Sequence, residues 1–415
     1  MIFTEYGCIG RKLPHSFSKT IHEKIGDYSY ELHELDDSEV AAFMTAHNFK
    51  AINVTIPYKE TVIPFLDEIS DTAKAIGAVN TVVNKNGKLY GYNTDFYGMT
   101  ALIEKNNISL KNKKVVILGS GGTSKTSLAV SEALGAKEII RVSRTGNENS
   151  VTYEDLYKNH TDADVLINTT PVGMFPEIFA SPVDIEKFTN LSGVIDAIYN
   201  PLTTVLVKNA KKRGISADCG LYMLTAQAVK AYEFFMDKEA ESGLTDRIFS
   251  SVLAGKKNIV LTGMPGSGKS TTGKIIAENL TREFIDTDEE IIKAAGMEIT
   301  EYFKKFGEEK FRELETGVIK NISAKSGIVI ATGGGAVLKN ENVDALKMNG
   351  TVYFLDRPIE DLLPTDDRPL ASSAEAIRQR YNERYGIYTS TADEIIKISG
   401  TLKDTALTIE RKHLK

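Results

Sequence analysis

Two glycine-rich turns, each preceded by an apolar run and followed by an amphipathic stretch, constrain this 415-residue chain more than any other feature. The first is KKVVILGSGGTSK at 113–125 and the second is NIVLTGMPGSGKSTTGK at 258–274. A strand that feeds a helix through a glycine turn opens a parallel, doubly wound sheet, and the free amides of that helix N-terminus hold an anionic ligand. Two such turns, so far apart, require two sheets, and at roughly 150 residues per domain the length accommodates them. The sequence predicts an α/β protein with two nucleotide sites.

Charge and composition narrow the partners. Fifty basic and 56 acidic residues give a net charge of −6 and are spread along the chain, without the basic stripe that a nucleic-acid surface requires. No run approaches the roughly 20 apolar residues of a membrane span. The start, MIFTEYGCIG, lacks the basic region and apolar core of a secretory signal, so a cytoplasmic location is expected. Two cysteines, Cys8 and Cys219, make no disulfide framework and have no metal-ligand spacing, which reads as buried reduced thiols.

Periodicity divides the chain into three α/β stretches. Residues 1–100 mix short strand-like runs with helical patterns, and Asn86-Gly87 between two alternating apolar runs signals a hairpin. From 113 to 215 the runs KKVVILG, EIIRVSR, ADVLINTT and GVIDAIY supply buried strands of a parallel sheet. The stretch 219–236 has helical periodicity and is expected to pack back on the first region. A polar junction places the main boundary between about 245 and 256, where NIVLTG starts a new strand.

In the first turn, Gly119 and Gly121 allow the tight bend and the approach of backbone to a pyrophosphate, while Gly122 and Thr123 open the helix. Ser124 stands where a third glycine is usual. The next strand ends Ser143-Arg144-Thr145 rather than in the acidic residue that holds an NAD ribose, and a cation there favours the 2′-phosphate of NADP. The alternative is a solvated loop arginine.

Four polar clusters mark the first hundred residues. His15-Ser16-Phe17-Ser18 puts two hydroxyls on one side of an extended segment, suited to a small carboxylate or polyol, and Asn53-Val54-Thr55-Ile56-Pro57-Tyr58-Lys59 offers polar groups before a proline stop. Alone, each is equally compatible with helix capping. With Gly77-Ala78-Val79-Asn80-Thr81 and Gly91-Tyr92-Asn93-Thr94-Asp95 they resemble the shikimate dehydrogenase family, whose motifs HSxS, NVTxPxK, GAVNT and GxNTD run in this order. The resemblance continues through INTTPVGM, DAIYNPLTT and GLYMLTAQA to residue 236. It implies a catalytic pair of Lys59 and Asp95, with Ser16, Ser18, Thr55, Asn80, Asn93, Tyr199 and Gln227 around the substrate and Gly220 beside the cofactor. An ammonium beside a carboxylate suits ketone reduction, which needs a proton at the developing alkoxide. The sequence departs from the family at SRTGNE, where Ser143 replaces Asn and Glu148 replaces a second arginine, and at Lys19 and Phe96. His15 reads as structural, since no metal-ligand partner is spaced with it.

The second turn is a complete GxxxxGK[ST] loop. Amides from Pro265 through Gly266, Ser267, Gly268 and Lys269 to Ser270, with Thr271 following, would surround a triphosphate. Lys269 would reach its β and γ groups, and Ser270 would ligate magnesium. Phe284-Ile285-Asp286-Thr287-Asp288 ends a strand with carboxylates at alternate positions, expected to project from one side. Arg312 and Glu315 are spaced i, i+3 on one helix face; taken alone, that pair reads as a surface salt bridge. Gly333, Gly334 and Gly335 follow a buried strand and let bare backbone approach a ligand. With DDRPL at 366–370 and ERYGIY at 383–388, these features resemble the shikimate kinase family over 257 to about 398. The resemblance implies that Asp288 deprotonates the attacking hydroxyl and Asp286 holds magnesium through water. Arg312 and Arg384 would clamp the substrate carboxylate, and Arg368 would stabilise the transferred phosphoryl group from a lid that is shorter here than in the family.

The combined expectation is an α/β chain with a substrate-binding domain at 1–100, an NADP-binding Rossmann-like domain at 101–250 and a P-loop kinase domain at 256–415. It would reduce 3-dehydroshikimate with NADPH and phosphorylate shikimate with MgATP, using NADP(H), ATP and Mg2+, with neither a nucleic acid nor a membrane as partner. Two rival readings are a first site specific for quinate or a related acid, and a degenerate, nucleotide-sensing kinase domain. The latter predicts loss of Lys269, Asp288, Arg312 or Arg384, and all four are present.

Overall fold

A computed structural model describes residues 5–13, 17–362 and 374–414. The chain divides into two compact units, Met1–Val252 and Leu253–Lys415. Among the described residues no helix is long and apolar enough to cross a membrane.

The first unit holds two sheets. Six strands, β1 (Tyr6–Gly10), β2 (Glu31–Glu34), β3 (Ala51–Val54), β4 (Glu68–Ile69), β5 (Thr81–Lys85) and β6 (Lys88–Tyr92), run in the order β2-β1-β3-β5-β6-β4. β1 is parallel to β2 and β3, whereas β5 is antiparallel to both β3 and β6. The expected hairpin joins β5 to β6: Asn86 and Gly87 have φ of 55° and 88°, which a two-residue turn with two left-handed residues requires. The Asn84 side chain accepts the Gly87 amide at 2.8 Å.

Five parallel strands form the second sheet, β7 (Lys114–Leu118), β8 (Glu138–Val142), β9 (Val165–Asn168), β10 (Gly193–Asp196) and β11 (Ser216–Cys219), in the order β11-β10-β9-β7-β8. Period-two alternation sends Val116 and Leu118 into one core and Val115 and Ile117 into the other, as a sheet covered on both faces demands. Helix α1 (Ser18–Ile25) belongs to the first layer, α2 (Asp95–Lys105) follows β6, and α3 (Gly122–Ala133) follows the glycine turn. Helix α4 (Leu221–Met236) serves both sheets. Its Tyr222 and Met223 pack with Val115 and Ile117, and its Ala231 and Phe235 pack with Cys8, Tyr30 and Val83.

The second unit has one parallel sheet, β12 (Asn258–Thr262), β13 (Phe284–Asp286), β14 (Val329–Ala331), β15 (Gly350–Asp356) and β16 (Glu394–Lys397), ordered β13-β14-β12-β15-β16. Val260, Ile330 and Val352 face one core; Ile259, Leu261, Val329 and Leu355 face the other. Helices α5 (Lys269–Asn279), α6 (Thr287–Ala295), α7 (Ile299–Ser323), α8 (Ala374–Thr391) and α9 (Leu402–His413) are among those that flank it. Helix α7 is kinked at Gly307, whose φ of 81° is non-helical. In both units the glycine turn follows an interior strand, so it sits at the carboxyl edge of its sheet, where such folds bind ligands.

Candidate active sites

In the first unit, Lys59 lies in the turn after β3 and Asp95 is the first residue of α2. The Lys59 ammonium donates to the Asp95 carboxylate, and the two side chains are only 19% and 13% exposed. Lys59 is fixed from behind, its carbonyl accepting the Val79 amide at 2.8 Å. Asp95 is fixed through its neighbour. The buried Asn80 side chain accepts the Thr94 amide at 2.7 Å and donates to the Thr94 hydroxyl at 3.0 Å. That hydroxyl donates in turn to Gln227 on α4 at 3.2 Å. Asn93 donates to the Ala78 carbonyl at 2.9 Å. The structure thus brings Lys59, Asp95, Asn80, Asn93 and Gln227 to one place, and it adds Thr94, a hub that lies inside a motif quoted for its neighbours.

Asn53 has a different occupation. Its side chain accepts the Tyr30 hydroxyl at 2.7 Å and donates to Thr81 at 3.1 Å, which ties β3 to β5 inside the core. Thr55 is half-buried, its amide bonded to the Ile9 carbonyl at 2.9 Å. Ser16 and His15 lie outside the described residues. Ser18 does not continue an extended segment, because the chain turns helical there as α1 begins. Phe17, beside it, packs on Tyr199 with ring centroids 5.1 Å apart. Cys8 and Cys219 are buried thiols, and burial pushes Cys8 up to about 12.

The cofactor turn is open in front. Gly119 has φ of 114° and donates to the Val142 carbonyl at 2.8 Å; a Cβ there would strike Thr169. A Cβ at Gly121 or Gly122 would meet no atom within 4 Å, which leaves the α3 N-terminus, with half-buried Thr123 in its first turn, clear for an anion. Ser124 is buried, and its hydroxyl closes the turn on the Gly119 carbonyl at 2.7 Å. Arg144 and Thr145 are exposed, as is Glu148. The Ser143 hydroxyl is engaged within its own loop, 2.9 Å from Ser150 and accepting the Gly146 amide at 3.1 Å. Gly220 admits no side chain because a Cβ would overlap the Ala197 carbonyl. These residues fit a dinucleotide: amides and open space for the pyrophosphate, a free-standing cation for a 2′-phosphate.

In the second unit the loop after β12 takes positive φ at Gly263, Gly266 and Gly268. Buried Lys269 lies across it, donating to the Gly263 and Met264 carbonyls at 3.0 and 2.9 Å. The Ser270 hydroxyl donates to Asp286 at 2.6 Å, so the hydroxyl and carboxylate expected to share a magnesium ion are neighbours and fit one. Asp286 and Asp288 are not alternate strand residues. β13 ends at Asp286, which caps α6 by accepting the Asp288 amide at 3.0 Å, and Asp288 stands in the first helical turn.

Each of the three glycines faces a different neighbour. A Cβ at Gly333 would press on the Asp288 carboxylate at 2.5 Å, one at Gly334 on Pro265 at 3.1 Å, and one at Gly335 would overlap the Arg312 guanidinium. Arg312 is no surface residue. It donates to Glu315 at 2.7 Å, with side chains only 12% and 2% exposed, because the α7 face that carries them packs on the sheet through Phe311 and Val318. Burial, with the nearby Asp288 charge adding to it, raises the Glu315 carboxyl above its ordinary value against the pull of Arg312. Arg384 on α8 donates to the Gly334 carbonyl at 3.0 Å, and the Tyr388 hydroxyl donates to the same oxygen. One turn before Arg384, Arg380 joins this cationic group and is held below its ordinary value by burial and then by Arg384; its i, i+4 spacing from Arg384 was the signal for it. Arg368 lies outside the described residues.

The family model described as shikimate dehydrogenase substrate binding domain matches residues 8–82, and the shikimate kinase model matches residues 265–412. The NADP(+) shikimate dehydrogenase of Clostridium beijerinckii is 37% identical over 262 residues, 59% of this chain and 96% of that protein. The chain belongs to the shikimate dehydrogenase family. Among solved members, shikimate dehydrogenase 1 of Peptoclostridium difficile is 34% identical with a TM-score of 0.55, covering 60% of this chain and 98% of that one. A chorismate mutase/shikimate 5-dehydrogenase fusion from Clostridium acetobutylicum is 35% identical with a TM-score of 0.57, covering 61% and 98%. The Thermus thermophilus family member, solved with NADP(H) and shikimate, is 26% identical with a TM-score of 0.54, covering 60% and 98%.

Proposed function

We propose that the chain is a bifunctional enzyme that reduces 3-dehydroshikimate to shikimate at its first site and converts shikimate to shikimate 3-phosphate at its second. The observation that carries the reading is the part-buried Lys59–Asp95 ion pair in one unit together with a complete P-loop and its own acceptor pocket in the other. When bound, NADPH supplies the hydride and MgATP the phosphoryl group. The domains serving these steps are 1–100 for the first substrate, 101–250 for NADP(H) and 256–415 for phosphorylation, in a cytoplasmic setting.

At the first site Lys59 delivers a proton to the ketone oxygen as negative charge develops there, while Asp95 keeps the ammonium in place. Ser16, Ser18, Thr55, Asn80, Asn93, Tyr199 and Gln227 surround the substrate, and Asn80 and Gln227 also fix the α2 N-terminus through Thr94. Gly119, Gly121, Gly122, Thr123 and Gly220 admit the dinucleotide, and Ser143, Arg144 and Thr145 meet its 2′-phosphate, with Arg144 the cation.

At the second site Asp288 takes the proton of the attacking hydroxyl, and Arg312 and Arg384 hold the substrate carboxylate, a task that suits planar guanidinium groups. The Gly333–Gly335 backbone forms the wall between them. Pro265 through Thr271 would cradle the triphosphate, Lys269 would reach its β and γ groups, Ser270 and Asp286 would hold Mg2+, and Arg368 would attend the transferred group. Such transfer depends mainly on positioning and charge. A coupled assay with 3-dehydroshikimate, NADPH and MgATP tests the whole proposal. Shikimate 3-phosphate should accumulate, and its absence would overturn the bifunctional reading.

A further inference from the structure

Lys59 and the cofactor turn belong to different sheets, and an ion pair joins them directly. Glu60 follows Lys59 in the turn after β3, and its carboxylate accepts the Lys125 ammonium at 2.7 Å. Lys125 stands in the first turn of α3, one residue after the Ser124 that closes the glycine turn on Gly119. A cation there opposes the helix dipole, so its place is explained by its partner and not by the helix that carries it. The backbone of the acidic residue is fixed as well. The Glu60 carbonyl accepts the Ile63 amide at 3.2 Å, inside a turn where the Tyr58 carbonyl accepts the Val62 amide at 3.1 Å. A second contact runs between the same layers: the short helix Asp71–Ile76 packs on α3 and leads to Val79, whose amide holds the Lys59 carbonyl.

We propose that the Glu60–Lys125 ion pair is a positioning device for the reduction, fixing the Lys59 ammonium relative to the cofactor turn. The inference rests on the first unit being the NADPH-dependent reductase. That reaction needs two deliveries to one carbonyl, a hydride to the carbon from the cofactor and a proton to the oxygen from Lys59. The two donors are held by different sheets, and a displacement of about 1 Å between reacting groups can cost up to ~10²-fold in rate. Exposed ion pairs add little to stability, and the Lys125 and Glu60 side chains are 38% and 61% exposed. The role of this pair is therefore read in alignment rather than in resistance to unfolding.

Charge exchange on the full-length chain tests this with 3-dehydroshikimate and NADPH. The unmodified protein must reduce 3-dehydroshikimate; if it does not, the reductase reading fails rather than this inference. Glu60→Lys and Lys125→Glu should each lower kcat for reduction roughly fivefold, the upper end of what an exposed pair contributes. The KM for 3-dehydroshikimate should stay unchanged, as for an interaction used only in the transition state. The double exchange, Glu60→Lys with Lys125→Glu, should recover most of the loss, which general damage to the fold would not do. Glu60→Gln and Lys125→Gln, which each remove one charge, should show a smaller loss in the same direction. Unchanged kcat in both single reversals overturns the proposal. Losses that add in the double exchange overturn it too, because each charge would then act alone. A loss confined to the KM for NADPH would assign Lys125 to the cofactor and equally overturn it.

Discussion

Lys59 and Asp95 come from different elements and meet because three separate supports hold them, the Val79 amide, Asn80 and Gln227. Removing the ammonium by Lys59→Ala should lower the reduction rate by about 10²–10⁴, the range of a general acid. Phosphorylation of added shikimate should be untouched; NADPH oxidation and ADP release report the two separately, and a parallel loss would point to misfolding. Gly335→Ala probes the other site. Its methyl group would overlap Arg312, and displacing that guanidinium by about 1 Å should raise the KM for shikimate or depress phosphorylation by up to ~10²-fold, with reduction as the internal control. At this scale the sequence was most legible where a residue's role is fixed by its neighbours in the chain, as in the P-loop and around Asp95. It misled where pairing is set by tertiary burial. Arg312–Glu315 read alone as a surface pair and is buried.

The elements carry a pH signature of their own. His22 on α1 is fully buried, stacked on Tyr30 with centroids 4.0 Å apart and beside Phe235 of α4, and burial depresses its pKa to about 3. The unfolded chain binds a proton near the ordinary 6.5, so stability is full above that value and is lost as pH falls toward 3. Between pH 7 and 5 the loss from this residue should be about 2 kcal/mol. His22→Phe should flatten the fall in urea midpoint over that window; an unchanged slope would show that other groups dominate. Strands and helices were readable from period alone in the two parallel sheets, where alternation on β7 and β12 separates two cores. The Asn86-Gly87 hairpin was equally plain, since only a turn with two left-handed residues fits it. Asp286 and Asp288 do not alternate along a strand, because capping by Asp286 starts α6 at Thr287 and places Asp288 in its first turn.

At the scale of the molecule, two compact units with their own sheets and cores are carried on one polypeptide, and the product proposed for the first is the substrate proposed for the second. Separate enzymes for consecutive steps can be made in any ratio. A single chain is synthesised with its two sites in a fixed ratio of one to one, so changes in expression scale both rates together. With the first substrate held constant and the enzyme varied tenfold, the steady-state concentration of free shikimate should therefore stay constant while flux rises in proportion, as measured by quenched-flow chromatography. An intermediate pool that drifts with enzyme concentration would contradict the pairing of these two activities. The covalent link between Val252 and Leu253 thus acts as a stoichiometric control: it makes the intermediate level a property of the protein's kinetic constants rather than of how much protein the cell makes.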